Sequence, residues 1–160
     1  TGLYNRRHLQ DALPRELKRA HRQGACVAVV VMDLDHFKQV NDQHGHAMGD
    51  RVLQAVAQLL QAQTRVEDFC ARYGGEEFCL VLPGASASQT VARLHLLQQT
   101  YAELCVEHSG TRLNGLGFSA GVAVYPQDGD NDSTLLNAAD NALYRAKAEG
   151  RNRICLAAKA

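Results

Sequence analysis

The sequence has no excess charge of either sign, no closely spaced cysteine pair and no long apolar run, and each absence closes off a class of function. Lys plus Arg number 17 and Asp plus Glu number 17 in 160 residues. That balance supplies no basic field for non-specific nucleic-acid binding and no polybasic membrane signal. The longest apolar run, Ala25 to Met32, is far too short to span a bilayer, and no signal peptide opens the chain. An integral membrane role and direct membrane contact are excluded for this stretch. The five cysteines (Cys26, Cys70, Cys79, Cys105, Cys155) are odd in number and lack CxxC spacing, which argues against a zinc site or disulfide framework. They read as small buried hydrophobes in a reducing compartment. A cytoplasmic location is expected, with any tether to the inner membrane lying outside this chain. Because the chain opens at Thr1-Gly2 without an initiator Met, we expect a fragment of a longer, multidomain protein.

What is present is an ordinary globular composition, 46% apolar and 21% charged. Without repeats or low-complexity tracts, residues 1–160 are expected to form one domain. Asn5 to Gln23 reads as a helix with Leu9, Leu13 and Leu17 on one face, and Pro14 is expected to kink or break it. Ala25 to Leu34 fits a central strand covered on both faces. A second helix stripe runs from about Ala47 to Gln63. Phe69, Ala71 and Tyr73, then Gly74-Gly75, then Phe78, Leu80 and Leu82 alternate as a β-hairpin whose glycines tolerate the positive φ angles of a tight turn. A helix around Val91 to Leu104 follows, then a strand from Phe118 to Val124. A last helix is capped near Ser133 and ends at Gly150, and Ile154 to Leu156 can add a strand. The fold class is α/β (α+β): a mixed central sheet flanked by helices.

Three constellations carry chemistry. Asp33-Leu34-Asp35 ends the central strand, where carboxylates lose hydration and need a partner or a cation. Glu76-Glu77 sits at the hairpin tip, which alone suits a solvated turn equally well. If the hairpin lies beside the central strand, three or four carboxylates converge into a hard-oxygen site for Mg²⁺ or Mn²⁺. Lys147, Arg151 and Arg153 surround the end of the last helix. They complement its dipole or, alternatively, clamp a polyphosphate.

Arg72-Tyr73-Gly74-Gly75-Glu76-Glu77-Phe78 resembles the signature of the GGDEF domain, in its GGEEF form, characteristic of diguanylate cyclases. Thr1 to Arg7, Asp33 to Asp42, His44 to Asp50, Phe118 to Ala123, Ala139 to Lys147 and Gly150 to Asn152 match further family motifs in order. The resemblance covers essentially the whole chain. It implies a nucleotidyl-cyclase or polymerase-palm-like fold and the condensation of two GTP into cyclic di-GMP with release of two pyrophosphates.

By resemblance, Asp33, Glu76 and the Leu34 carbonyl hold two Mg²⁺ (or Mn²⁺) ions per half-site, with Glu77 assisting. Glu76 and Glu77 are the catalytic candidates, Glu76 being a possible proton acceptor. Asn41 and Asp50 recognise guanine, joined by His46 and Leu53. Asp50 can accept from the guanine N1–H and 2-amino group, a donor pair adenine lacks. Asn41 reads equally as a cap and Leu53 as core. Phosphate binding falls to Lys38, Lys147 and Arg151 with backbone N–H groups at His36 and Phe37, while Gly74 and Gly75 border the nucleotide. Arg65 and Asp68 form the RxxD of the family's product-inhibition site, although that spacing also occurs as a helical ion pair. The implied partners are GTP, cyclic di-GMP as product and inhibitor, and a second copy of the chain in a catalytic homodimer. An alternative is a catalytically silent module that binds GTP or cyclic di-GMP. A cyclase using adenine nucleotides is disfavoured by Asp50.

Overall fold

The computed structural model, which describes residues 2–158, interleaves five helices with eight strands among the described residues. The elements run β1 (Tyr4–Asn5), α1 (Arg6–Gln23), β2 (Val27–Leu34), α2 (Phe37–His44), α3 (His46–Gln63), β3 (Phe69–Arg72) and β4 (Glu77–Pro83). They continue with α4 (Ala87–Glu103), β5 (Val106–His108), β6 (Thr111–Leu113), β7 (Phe118–Tyr125), α5 (Asp132–Ala148) and β8 (Ile154–Leu156). Six strands form one sheet in the order β1-β3-β4-β2-β7-β8, and β5 with β6 forms a separate hairpin. The two edge pairs, β1 with β3 and β7 with β8, are parallel; the inner pairs are antiparallel. The mixed sheet expected from the sequence is present.

Every residue of β2 and β7 is buried because helices cover both faces of the sheet. Ala28, Val30, Met32 and Leu34 join the cluster made with α2, α3 and α4; Val27, Val29 and Val31 join the cluster made with α1 and α5. Phe78 and Phe118, both 0% exposed, anchor the first cluster. Burial of each contributes roughly 2–3 kcal/mol.

Local signals explain the element ends. Asn5 caps α1 by accepting from the His8 N–H, and Gly24 closes it in the left-handed region. Pro14 lies inside α1 without breaking it. The proline removes one backbone donor, but Leu9, Leu13 and Leu17 are buried along the same face and hold the helix across the gap. The cap of α5 is Asn131 rather than Ser133, since Asn131 and Thr134 complete a reciprocal capping box. Its C-cap is Glu149, one residue before Gly150. At Gly121 on β7 a Cβ would lie 2.0 Å from the Ala139 carbonyl oxygen, so α5 rests directly on the strand backbone. Cys70 and Cys79 are buried, Cys26 and Cys155 half-buried, and Cys105 exposed, so the buried reading fails at Cys105. Burial pushes the Cys70 thiol up to about 12, which leaves it unreactive. Among the described residues no helix is long and apolar enough to cross a membrane.

Candidate active site

Period-two alternation decides where the acids of β2 and β4 point. Odd-numbered residues of both strands face α1 and α5, so Asp33 and Glu77, opposed in register, lie on the α5 side. There Nζ of Lys147, the next-to-last residue of α5, meets Asp33 Oδ2 at 2.6 Å. The Asp33 side chain is only 11% exposed, and this ammonium balances its charge. The Leu34 N–H donates to the Glu76 carbonyl at 3.2 Å, which fixes the signature turn against the strand end. Burial, then the Asp33 carboxylate, pushes the Glu77 carboxyl above its ordinary value, with Lys147 opposing and Asp140 and Glu76 adding to the rise.

The chain leaves β2 through His36, whose φ of 59° is left-handed, and enters α2 with no side-chain cap. Uncapped N–H groups at the start of a helix favour an anion. A cleft of about 290 Å³ opens there, lined by Asp33, Leu34, Asp35, His36, Phe37, Lys38, Gln39, Glu76, Lys147 and Arg151. A second cleft of about 470 Å³ is lined by Phe37, Lys38, Asn41, His46, Asp50, Leu53, Arg72, Gly75 and Glu76. Phe37, Lys38 and Glu76 border both, so the two form one groove. One end carries Lys38, Lys147 and Arg151 beside the acids Asp33, Asp35 and Glu76; the other has the amide of Asn41 and the carboxylate of Asp50, suited to a purine edge. Gly45, φ 86°, joins α2 to α3. Gly49 lets the helices close, since a Cβ there would lie 1.9 Å from Asn41 Oδ1.

Asp33 and Glu76 on one cleft are a fitting donor set for a hard divalent cation that takes its remaining ligands from phosphate oxygens. Three carboxylates, Asp33, Asp35 and Glu76, share the cleft as expected, but among the described residues no group of three His, Cys, Asp or Glu side chains is arranged to hold one metal ion. Asp35 lines the cleft with both carboxylate oxygens already engaged. Its Oδ1 accepts from Ser119 Oγ at 2.7 Å and its Oδ2 from the Asn152 N–H at 2.8 Å.

Residues 1–153 match the family model described as "Diguanylate cyclase, GGDEF domain". The chain belongs to the GGDEF family. It is 39% identical over 154 residues to diguanylate cyclase DgcP of Pseudomonas aeruginosa, covering 96% of this chain and 23% of that protein. It is 36% identical to diguanylate cyclase DosC of Escherichia coli, covering 96% of this chain and 33% of that protein. The chain thus spans about a quarter to a third of the length of these relatives. The GGDEF domain of YfiN from Pseudomonas aeruginosa superposes with a TM-score of 0.94 at 34% identity, covering 99% of this chain and 92% of that one. The GGDEF domain of DgcB from Caulobacter crescentus, solved in complex with cyclic di-GMP, superposes with a TM-score of 0.91 at 33% identity, covering 98% and 92%.

The GGEEF turn is not held by glycine flexibility. Neither Gly74 nor Gly75 has a positive φ, contrary to the hairpin expectation. Arg72 instead donates from Nε to the Gly74 and Gly75 carbonyls and from Nη2 to Gly75 at 2.8 Å. The turn is therefore a longer connection clamped from its first strand. Gly74 sits over Glu77, whose Oε2 would be 3.3 Å from an added Cβ, and lines neither cleft. Nor does Arg153, whose Nε donates to the Arg151 carbonyl.

Elsewhere in this GGDEF domain, Arg65 to Asp68 forms a turn between α3 and β3 rather than a helical ion pair. The Arg65 N–H donates to Asp68 Oδ2 at 2.9 Å, and Arg93 on α4 contacts the same oxygen at 2.8 Å. Asp68 Oδ1 is buried without a partner. Sequence reasoning missed Arg93, Arg72 and Gly49. Arg72 lay inside the quoted signature; Arg93 carried no local signal, because only tertiary packing brings it to Asp68.

Proposed function

We propose that this domain is the catalytic module of a diguanylate cyclase, one domain of a longer protein, condensing two GTP into cyclic di-GMP with release of two pyrophosphates. The single observation behind the reading is the joined groove, with Asp33 and Glu76 flanked by cations at one end and Asn41 with Asp50 at the other. Asp50 accepts from guanine N1–H and the 2-amino group, Asn41 answers the remaining edge, and His46 and Leu53 wall the base. Lys38, Lys147 and Arg151, with the N–H groups at His36 and Phe37, take the triphosphate, and Gly75 leaves its border open.

Asp33, Glu76 and the Leu34 carbonyl would hold Mg²⁺ or Mn²⁺, two per half-site, with Glu77 assisting. When bound, such ions activate the attacking hydroxyl and neutralise the leaving pyrophosphate. Lys147 then shares its charge between Asp33 and the phosphates. Glu76 is the candidate acceptor of the 3′-hydroxyl proton as that oxygen attacks the α-phosphate of the opposing nucleotide. Since each groove binds one nucleotide, the competent species is an antiparallel homodimer. Arg65 and Asp68 form the product-inhibition site. The exposed Arg65 side chain supports it as a cation open to a guanine edge or phosphate, while the Asp68 carboxylate, 1% exposed and paired with Arg93, holds the turn that presents it.

The test is incubation of the purified domain with GTP and Mg²⁺ at dimer-forming concentration, beside Glu76→Ala. Cyclic di-GMP from the wild type alone supports the reading. No dinucleotide from either sample points to a silent binding module instead. An Arg65→Ala variant with undiminished affinity for cyclic di-GMP removes the product-site claim.

A further inference from the structure

We infer that Asp35 is a positioning residue that holds Arg151 over the triphosphate end of the groove, and is not a metal ligand. The inference rests on the nucleotide reading above and extends it to residues outside the proposed ligand and base-binding sets. Gly150, Arg151 and Asn152 have φ of 123°, 64° and 49°, three left-handed residues in succession, two of them with side chains. Such a run persists only where its surroundings over-determine it. Here they do. Asp35 Oδ2 accepts from the Asn152 N–H at 2.8 Å, and Ser119 Oγ holds the other carboxylate oxygen at 2.7 Å. From the opposite side Gln98 Nε2 on α4 donates to the Asn152 carbonyl at 2.8 Å and to its Oδ1 at 3.0 Å.

The Arg151 N–H closes onto the Ala146 carbonyl at 3.0 Å, and Arg153 Nε grips the Arg151 carbonyl. Gly117 donates no bond through a side chain but supplies room: a Cβ there would lie 3.0 Å from Asn152 Oδ1 and 3.5 Å from Asp35 Oδ2. The Asp35 N–H also donates to the Gly117 carbonyl at 2.9 Å. Asp35 thus ties the turn that carries Arg151 to the cleft through Oδ2, while Ser119 of β7 anchors its Oδ1.

The experiment compares Asp35→Ala, Gln98→Ala, Arg151→Ala and the Asp35→Ala/Arg151→Ala double variant. Steady-state kinetics with GTP, Mg²⁺ titrations, and calorimetric binding of a non-hydrolysable GTP analogue against GMP are measured, with thermal melts alongside. The expectation is a roughly tenfold or larger rise in KM for GTP in Asp35→Ala, with kcat much less affected. Gln98→Ala shifts KM in the same direction. Affinity for the triphosphate analogue falls while that for GMP is nearly kept. In the double variant the Asp35 effect disappears, because the group it positions is gone. Full additivity of the two substitutions, or a Mg²⁺ requirement raised in Asp35→Ala and unchanged in Gln98→Ala, overturns the inference. If Asp35→Ala fails to fold, Gln98→Ala decides: an unchanged KM overturns it. Failure of the wild type to bind the GTP analogue would instead sink the nucleotide reading itself.

Discussion

Lys147 Nζ and Asp33 Oδ2 stand 2.6 Å apart across 114 positions of sequence, joining the end of α5 to the end of the central strand. With Asp33 almost wholly shielded and Lys147 one-third exposed, the pair ties the last helix to a largely desolvated acid. Lys147→Met is expected to lower stability by about 1–2 kcal/mol, less than a fully buried pair because water screens the lysine. Chemical denaturation of the two proteins checks the loss. GTP turnover should fall as well, since the same ammonium lines the cleft proposed for the phosphates.

Glu77 gives a pH-dependent signature. Its folded carboxyl titrates above the ordinary glutamate value of 4.5, so the folded state binds its proton more tightly than the unfolded chain does. The resulting stabilisation is complete below 4.5 and is lost as pH rises through the higher folded value. Glu77→Gln removes the charge, so its melting temperature should exceed the wild type's at neutral pH and converge with it on acidification. Thermal melts across that range measure the gap. A constant gap at every pH contradicts the assignment.

Gly49→Ala probes the proposed base pocket from behind. An added methyl would collide with Asn41 Oδ1, so Asn41 must swing away or α2 must lift from α3. KM for GTP is expected to rise about tenfold, the loss of one good hydrogen bond to the base. A thermal melt separates this from unfolding, and an unchanged KM would show that Asn41 does not touch the nucleotide.

Asp50→Ala tests selectivity for the base. Loss of a charged acceptor facing two donors should weaken GTP by roughly 10- to 100-fold and leave ATP little changed. Competition binding with both nucleotides reads the ratio directly.

Arg93→Ala concerns the second proposed site. It leaves the Asp68 carboxylate, with its side chain 1% exposed, without a counter-charge, and should destabilise the fold by about 3 kcal/mol. Arg65→Ala, at an exposed side chain, should not. Denaturation curves of the two variants distinguish a structural arginine from a surface one.

The large elements were legible because their physics is local. Leu9, Leu13 and Leu17 announced α1, and the alternation through Phe78, Leu80 and Leu82 announced the hairpin strand. Elements that depend on single backbone conformations were not. Helix α2 is short and polar, and begins at a left-handed His36 with no capping side chain, so no periodic stripe or cap marked it. The β5–β6 hairpin turns on Ser109 and Gly110, both with positive φ, a Ser-Gly signal that was present and passed over. At the site, the acids, amide and cations were nameable from motifs, and the groove draws most of them together. Asp35 could not be told from Asp33 by spacing. Period-two counting sends both to one face, but the strand ends at Leu34 and the chain turns, giving Asp35 different neighbours.

The bare backbone at Gly121 has a reach beyond its own contact. Lys147 lies eight positions along α5 from Ala139, roughly 12 Å at the helical rise. The helix is a stiff lever seated where no methyl intervenes, and its tip carries the ammonium. A wedge the size of one carbon atom at that seat would tilt the rod, and the tip would part from Asp33 although nothing near the nucleotide had been altered. The gap between two charges at the mouth of the groove is thus set by an atom missing from the middle of the sheet.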